Sequence, residues 1–146
     1  MSPALNLQID SDLDSVELVA RAVRALCSDK LVDDMLADVE LSVVEAINNV
    51  IKHGYRGVKG LPVDVKISIK ADRIVLDICD QAPPMPGSLL APDTAELTGF
   101  APDDLENLPE GGMGLALIKM TMDDVSYSSA SGVNRLTLTK LFAPRT

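Results

Sequence analysis

The chain has 146 residues, 47% of them apolar, enough for one domain with a core of its own. Thirteen basic against 22 acidic side chains leave a net charge of -9, which opposes binding to a nucleic-acid backbone or an anionic membrane surface. Two cysteines, an acidic start with no basic side chain in the first 20 residues, and no apolar run near the ~20 residues of a membrane span argue against a disulfide framework, a secretory leader and a transmembrane helix, and so predict a reduced, cytoplasmic protein.

Leu5, Leu7 and Ile9 alternate with polar residues and predict a first strand. Ser11 and Asp12 then offer helix caps before Val16, Val19, Ala20, Val23 and Cys27 recur at helical spacing. A second helix is expected from about Asp33 to Lys52, with Leu36, Val39, Val43, Ile47 and Val50 on one stripe and Gly54 as its stop. Val63, Val65, Ile67 and Ile69, the turn Ala71-Asp72, and the run from Ile74 to Cys79 read as an antiparallel hairpin. Cys27 and Cys79 both sit in apolar runs and are expected to be reduced core residues.

Regular pattern stops between Asp80 and Gly111, where residues 81–110 carry six prolines. A connection of that length in a small domain is expected to be a functional lid or a disordered insert. A short helix from about Gly112 to Met122 follows, then strands over Val125 to Ser129 and Arg135 to Leu141 around the turn Ser131-Gly132-Val133-Asn134. Helices grouped apart from hairpins predict an α+β two-layer sandwich, a mixed, mostly antiparallel sheet with helices on one face.

Three constellations could carry chemistry. In VEAINNVIKHGY, Glu45, Asn49 and His53 are four apart, and steps of four drift only ~40° around a helix, so the three share one side. Glu45 falls roughly opposite the apolar stripe, which fits a solvated face. It equally fits a carboxylate and an amide oxygen that together orient a nucleophile and hold a hard cation such as Mg²⁺. Asn49 favours the second, because a mid-helix Asn has poor helix propensity. His53, the only histidine, leaves no histidine-based metal site and serves equally as a helix-end packing residue. Asp80, in Asp80-Gln81-Ala82-Pro83-Pro84, is either a turn former or an acceptor for the exocyclic amine of a purine. Gly111, Gly112 and Gly114 in EGGMGLALI precede a helix, where backbone N–H groups and the helix dipole favour anionic oxygens, yet the spacing is neither a Rossmann turn nor a Walker loop.

In this order the three constellations resemble the GHKL family of ATP-binding domains, and within it the anti-sigma-factor serine-protein kinases of bacterial partner-switching systems. EAINNVIKHGY is similar to the family's N box, the Asp80 segment to its adenine-binding motif, and GGMGL followed by MDDVSY to its second glycine box. The resemblance implies the Bergerat (GHKL) ATP-binding fold in a single domain over 1–146, with a lid at about 81–111. It implies Glu45 as catalytic base, Asn49 as Mg²⁺ ligand, and an ATP site made by Asn49, Asp80, Ala82, Gly111, Gly112, Met113, Gly114, Leu115 and Thr137. Arg21 matches the position at which family members present an arginine to a partner. The implied activity is that of an anti-sigma factor and ATP-dependent serine kinase, which binds a sigma factor and phosphorylates a small STAS-type anti-anti-sigma protein. Neither nucleic acid nor membrane is an expected partner; a homodimer is, since relatives commonly form one. The alternatives are a nucleotide-dependent partner-binding module with little catalysis, or a switch kinase that activates a phosphatase. One departure stands out. From Gln81 to Ile118 there is no Lys or Arg, while Asp93, Glu96, Asp103, Asp104, Glu106 and Glu110 supply six negative charges.

Overall fold

A computed structural model describes residues 3–85 and 112–142. In chain order it contains β1 (Ala4–Asp10), a 3₁₀ turn (Leu13–Ser15), α1 (Val16–Cys27), α2 (Asp33–Asn49), a π-helical turn (Val50–Gly54), β2 (Pro62–Ile69), β3 (Arg73–Asp80), α3 (Gly112–Thr121), β4 (Asp124–Ala130) and β5 (Val133–Leu141). The five strands form one sheet in the order β1-β2-β3-β5-β4, antiparallel at every pairing.

The period-2 pattern gives the sheet one apolar face. Val63, Val65 and Ile67 of β2 lie beside Ile78, Leu76 and Ile74 of β3, which in turn lie beside Leu136, Leu138 and Lys140 of β5. All the apolar members of this block are buried, and the stripes of α1 and α2 complete the core through Val19, Val23, Val39, Val43 and Ile47. The other face carries Asp64, Lys66, Asp77, Arg135 and Thr137. Cys27 is a core residue as expected, and burial pushes its thiol up to about 11. Cys79 is not: its register partners Asp64 and Arg135 put it on the polar face, where it is half-buried. Asp77, two residues earlier, lies on the same polar face and is the one residue of the run from Ile74 to Cys79 that marks it.

Asp12 caps the 3₁₀ turn by accepting from the Asp14 N–H at 3.0 Å. Ser11 has a different task. It is buried, donates to the Val58 carbonyl at 2.6 Å and accepts from the Leu61 N–H at 3.0 Å, which fixes the connection from α2 to β2. The helix expected to reach Lys52 changes hand-hold at Asn49: Tyr55 N–H bonds to the Val50 carbonyl at 2.7 Å, a five-residue step that widens the last turn.

Helix α3 packs against α2. Ser42, fully buried on α2, shares a 2.7 Å hydrogen bond with Thr121 at the end of α3. Lys140, near the end of β5, reaches the same place: its Nζ donates to the Thr121 carbonyl and to Asp38 Oδ2 at 3.1 Å. A cation on the last carbonyls of a helix satisfies groups that have no intrahelical acceptor role left and complements the helix dipole. The surface pair Arg24–Glu40, at 2.8 Å between α1 and α2, contributes much less because both groups stay hydrated. No helix of the described residues is long and apolar enough to cross a membrane.

Removing the Lys140 ammonium leaves the Thr121 carbonyl without this partner, while Asp38 stays partly hydrated. Lys140→Ala is expected to lower the unfolding free energy by about 1–2 kcal/mol, measured by urea denaturation, whereas Arg24→Ala changes it by less than about 1 kcal/mol.

Candidate functional site

A cavity of about 300 Å³ opens between the π-helical end of α2, the end of β3, α3 and the β4-β5 hairpin. Its two ends are built in different ways.

At one end stands Asp80, nearly buried on the helix-facing side of the sheet. It is opposite Asn134 of β5 in the ladder. Asn134 is buried too, and its Nδ2 donates to Asp80 Oδ1 at 2.8 Å and to the Ala82 carbonyl at 2.7 Å, while its Oδ1 accepts from Ser129 Oγ at 2.7 Å. Asp80 Oδ1 also accepts from the Ala82 N–H at 2.8 Å, the short-range turn that the sequence Asp-Gln-Ala allows. Among the described residues both donors go to Oδ1 and none reaches Oδ2. One carboxylate oxygen therefore fixes the loop, and the other remains an acceptor at the edge of the cavity.

Tyr55 holds the same loop from the opposite side. Its hydroxyl donates to the Pro62 carbonyl at 2.6 Å and accepts from the Gln81 N–H at 2.8 Å. Burial raises the phenol above its ordinary value, so the group is neutral and can donate throughout the physiological range. Gly54 lets the turn come this close, because a Cβ there would fall 2.9 Å from that of Ala82.

The other end is set by Gly114. A Cβ on this residue would meet Asn49 Nδ2 at 2.9 Å, Asn49 Oδ1 at 3.1 Å and Glu45 Oε2 at 3.1 Å. The missing side chain is thus the space in which the polar groups of α2 lie. Asn49 lines the cavity, and Glu45 stands one turn behind it. The face of α2 opposite its stripe is accordingly not simply solvated: Ser42, Glu45 and Asn49 meet α3, and the last two are half-buried. No group of three or more His, Cys, Asp or Glu that could hold a metal is found among the described residues. Asn49 and Glu45 instead offer two oxygen ligands on one side, which fits a hard cation that takes its remaining ligands from water or phosphate.

Of the other residues singled out in the sequence, Ala82 and Leu115 line the cavity and His53 lies exposed at its rim. Gly112 opens α3, while Gly111, the side chain of Met113 and lid residues 86–111 lie outside the described residues. Arg21 is on the outer side of α1, mostly exposed and 3.8 Å from Glu17, apart from the cavity. Thr137 does not join the site. It points to the polar face of the sheet, where its hydroxyl donates to Asp77 Oδ1 at 2.6 Å. The strand's period of two explains why: Asn134 and Leu136 face the cavity, so Thr137 cannot. Asn134 takes the place expected of a β5 residue in the site, and its presence in a Ser-Gly-Val-Asn turn pattern concealed it. Tyr55 and Tyr127 were equally silent, although two buried-edge tyrosines in a chain with so few aromatics are a signal. The Tyr127 hydroxyl accepts the Met85 N–H at 2.9 Å and so fixes the last described residue before 86–111.

Residues 9–140 match the histidine kinase-like ATPase domain family. Among curated proteins the chain is similar to the serine-protein kinase RsbW of Bacillus licheniformis, 31% identical over 102 residues that make up 68% of this chain and 61% of the relative. It is 28% identical to the serine-protein kinase RsbW of Bacillus subtilis over 68% of this chain and 61% of the relative, and 32% identical to that of Staphylococcus aureus over 73% and 66%. The chain thus spans about three fifths of the length of the first two. Among solved structures, the RsbU and RsbW domains of Rv1364c from Mycobacterium tuberculosis superpose with a TM-score of 0.66 at 16% identity, over 97% of this chain and 33% of that one, a likeness of fold.

Asn134→Ala removes both donors that hold Asp80 and Ala82 and leaves the Ala82 carbonyl without this partner. A loss of about 1–3 kcal/mol in unfolding free energy is expected from urea titration, with the sheet's far-UV circular dichroism retained in the absence of denaturant.

Proposed function

The chain belongs to the histidine kinase-like ATPase domain family, and on that premise we propose that it binds ATP in this cavity and transfers the γ-phosphoryl group to a serine of a small STAS-type anti-anti-sigma protein. When not so engaged it holds a sigma factor. The observation that carries this reading is the division of the cavity: an acceptor edge at Asp80, apolar walls, and at the far end a carboxylate and an amide packed against a helical glycine.

Asp80 Oδ2 is the acceptor that selects the base. Adenine offers an amine N–H at the edge where guanine offers a carbonyl, so a carboxylate that cannot donate accepts the first and repels the second. Asn134 and the Ala82 N–H keep that oxygen aimed by occupying its twin. Asn49 Oδ1 would hold a Mg²⁺ ion. When bound, that ion neutralises charge on the phosphates. Glu45 is the general base: its carboxylate takes the proton of the substrate serine hydroxyl as the serine oxygen bonds to the γ-phosphorus and the bond from that phosphorus to the departing ADP oxygen breaks. Gly114 makes the arrangement possible, because any larger residue would push Glu45 and Asn49 out of register with each other. The partner-facing role of Arg21 is supported by its exposed place on α1. A sigma factor that offers a basic, DNA-binding surface suits a chain of net charge -9.

A second reading is favoured by one feature, the absence of Lys and Arg from Gln81 to Ile118. Phosphoryl transfer draws on positive charge beside the transferring group, and a site that lacks it suits a module that switches partners with nucleotide state and turns over little. Radiolabelled ATP with a STAS-type protein separates the two: serine phosphate on the partner supports the kinase, and tight ATP binding without any phosphoserine supports the module.

Glu45→Gln is expected to lower the phosphorylation rate by about 10²-fold or more and to leave ATP affinity within about twofold; retained turnover removes Glu45 from the base role. Gly114→Ala, a change toward better helix propensity, is expected to keep the melting temperature yet reduce turnover at least tenfold. An active Gly114→Ala protein would mean that Asn49 and Glu45 need not share that space.

A further inference from the structure

Arg56 is a residue that a stable turn would not choose. Tyr55, Arg56, Gly57 and Val58 form a four-residue turn, closed by the Val58 N–H on the Tyr55 carbonyl at 3.0 Å. Its two central residues have φ of +54° and +79°. A turn with both central residues left-handed takes Asn or Gly by preference, because a larger side chain there crowds its own backbone. Gly57 meets that demand, and Arg56 does not. The other non-glycine residue with positive φ among those described, Ser131, lies in the two-residue loop of the β4-β5 hairpin, whose strand twist requires the conformation. No hairpin surrounds Arg56. Its conformation is imposed from both flanks: Tyr55 N–H bonds to the Val50 carbonyl at 2.7 Å, Gly57 N–H to the Ile51 carbonyl at 2.8 Å, and Ser11 holds Val58 and Leu61 beyond.

An uncommon backbone held this firmly points to use of the side chain. Arg56 lines the cavity, and among the described lining residues it is the one with a permanent positive charge. Its place is at the Asp80 end. The preceding Gly54 is against Ala82, and Tyr55 is bonded to Gln81. Glu45 is nine residues before Gly54, about 13 Å along the helical path at 1.5 Å per residue. Arg56 is therefore anchored nearer to Asp80 than to Glu45, at an exposed place on the cavity rim. A guanidinium is planar, weakly hydrated and stacks on π-faces, and a purine bound by one edge to Asp80 leaves a face toward the rim of the cavity.

We propose that Arg56 is a specificity-determining residue that stacks its guanidinium on the purine base. The turn keeps a residue unfavourable to folding because that residue closes the base site. The inference rests on the nucleotide reading of the cavity and adds to it a contact on the face of the base, independent of the edge contact made by Asp80.

The test is a pair of measurements on wild type, Arg56→Asn and Arg56→Lys: the melting temperature of the ligand-free protein, and affinities for adenosine and for ATP by calorimetry. Asn suits the left-handed position, so Arg56→Asn is expected to melt at the same temperature or higher. It should bind adenosine and ATP more weakly by the same factor, about three- to tenfold. Arg56→Lys, which keeps the charge and loses the plane, should recover less than half of that loss. Equal affinity in Arg56→Asn, a loss confined to ATP, or full recovery with Lys would each overturn the stacking role. So would a lower melting temperature in Arg56→Asn, since it would show that Arg56 is kept for the fold. If wild type binds neither ligand, the nucleotide reading of the cavity fails, an outcome distinct from wild-type binding that Arg56→Asn leaves unchanged.

Discussion

The approach of α3 to α2 is the constraint on which the rest of the site depends. Two apolar helices can meet anywhere along their stripes, but these two are fixed at both ends of the contact. Ser42 and Thr121 pair at one end, with Lys140 tying the end of α3 to the sheet and to Asp38. At the other end Gly114 lies where only a hydrogen atom fits beside Asn49 and Glu45. A helix that begins after a long connection, 86–111, is thus placed by its far end. Polar pairing sets the depth to which α3 slides, and the glycine turns that depth into a half-buried pocket of carboxylate and amide. Apolar packing alone has no such directional preference, since it depends on area more than on orientation.

The base end follows a different logic, that of register. Asp80 and Asn134 face each other because β3 and β5 pair antiparallel with Leu76 against Leu138 and Ile78 against Leu136. A slip of one residue would send Asp80 and Asn134 to opposite faces and the apolar residues to solvent, so the core itself aligns the polar pair. The energy that fixes the site is spread over a buried apolar block several residues away, and the polar groups need only hold a short loop in place. Tyr55 adds the third support and joins the π-helical end of α2 to the strand end at Gln81.

Most of the fold was legible from period alone. The strands at Leu5-Leu7-Ile9, Val63 to Ile69 and Ile74 to Cys79, and the stripes of α1 and α2, all appear within a residue or two, because alternation and helical recurrence report which side of an element is buried. The site was legible where chemistry departs from period. An Asn in a helix, a glycine cluster at the start of another and an acid at a strand end each contradict local preference; Asn49 and Asp80 line the cavity, and Gly114 packs against Asn49. Asn134 and Arg56 were not legible, for the opposite reason: one sits in a segment already explained as a turn, and the other follows a glycine already explained as a helix stop. Thr137 was placed in the site by resemblance, against the clean alternation of Leu136 and Leu138 in its own strand, and Cys79 was placed in the core although Asp77, two residues away, marks its face as polar. The π-helical step at Val50 is a further case, for its five-residue bond depends on tertiary contacts to Tyr55 rather than on any residue preference.

The acid-rich composition can then be placed. On the proposed reading, a chain of net charge -9 takes a polyanion into a cavity that few of its acids line. Asp80 is the one acid that lines the cavity among the described residues, and one of its oxygens is already committed to Asn134 and Ala82. Its charge is therefore spread over two donors before any ligand approaches. In the proposed nucleotide site Arg56 would offset the remainder, so that selection of the base would rest on hydrogen-bond direction rather than on net attraction. At the far end the balance reverses, because Glu45 adds a negative charge where phosphates would lie, and no described lining residue with a permanent positive charge stands there to offset it. On the proposed reading, an anion at that end is accommodated with a cation held by Asn49, which leaves Glu45 for the proton.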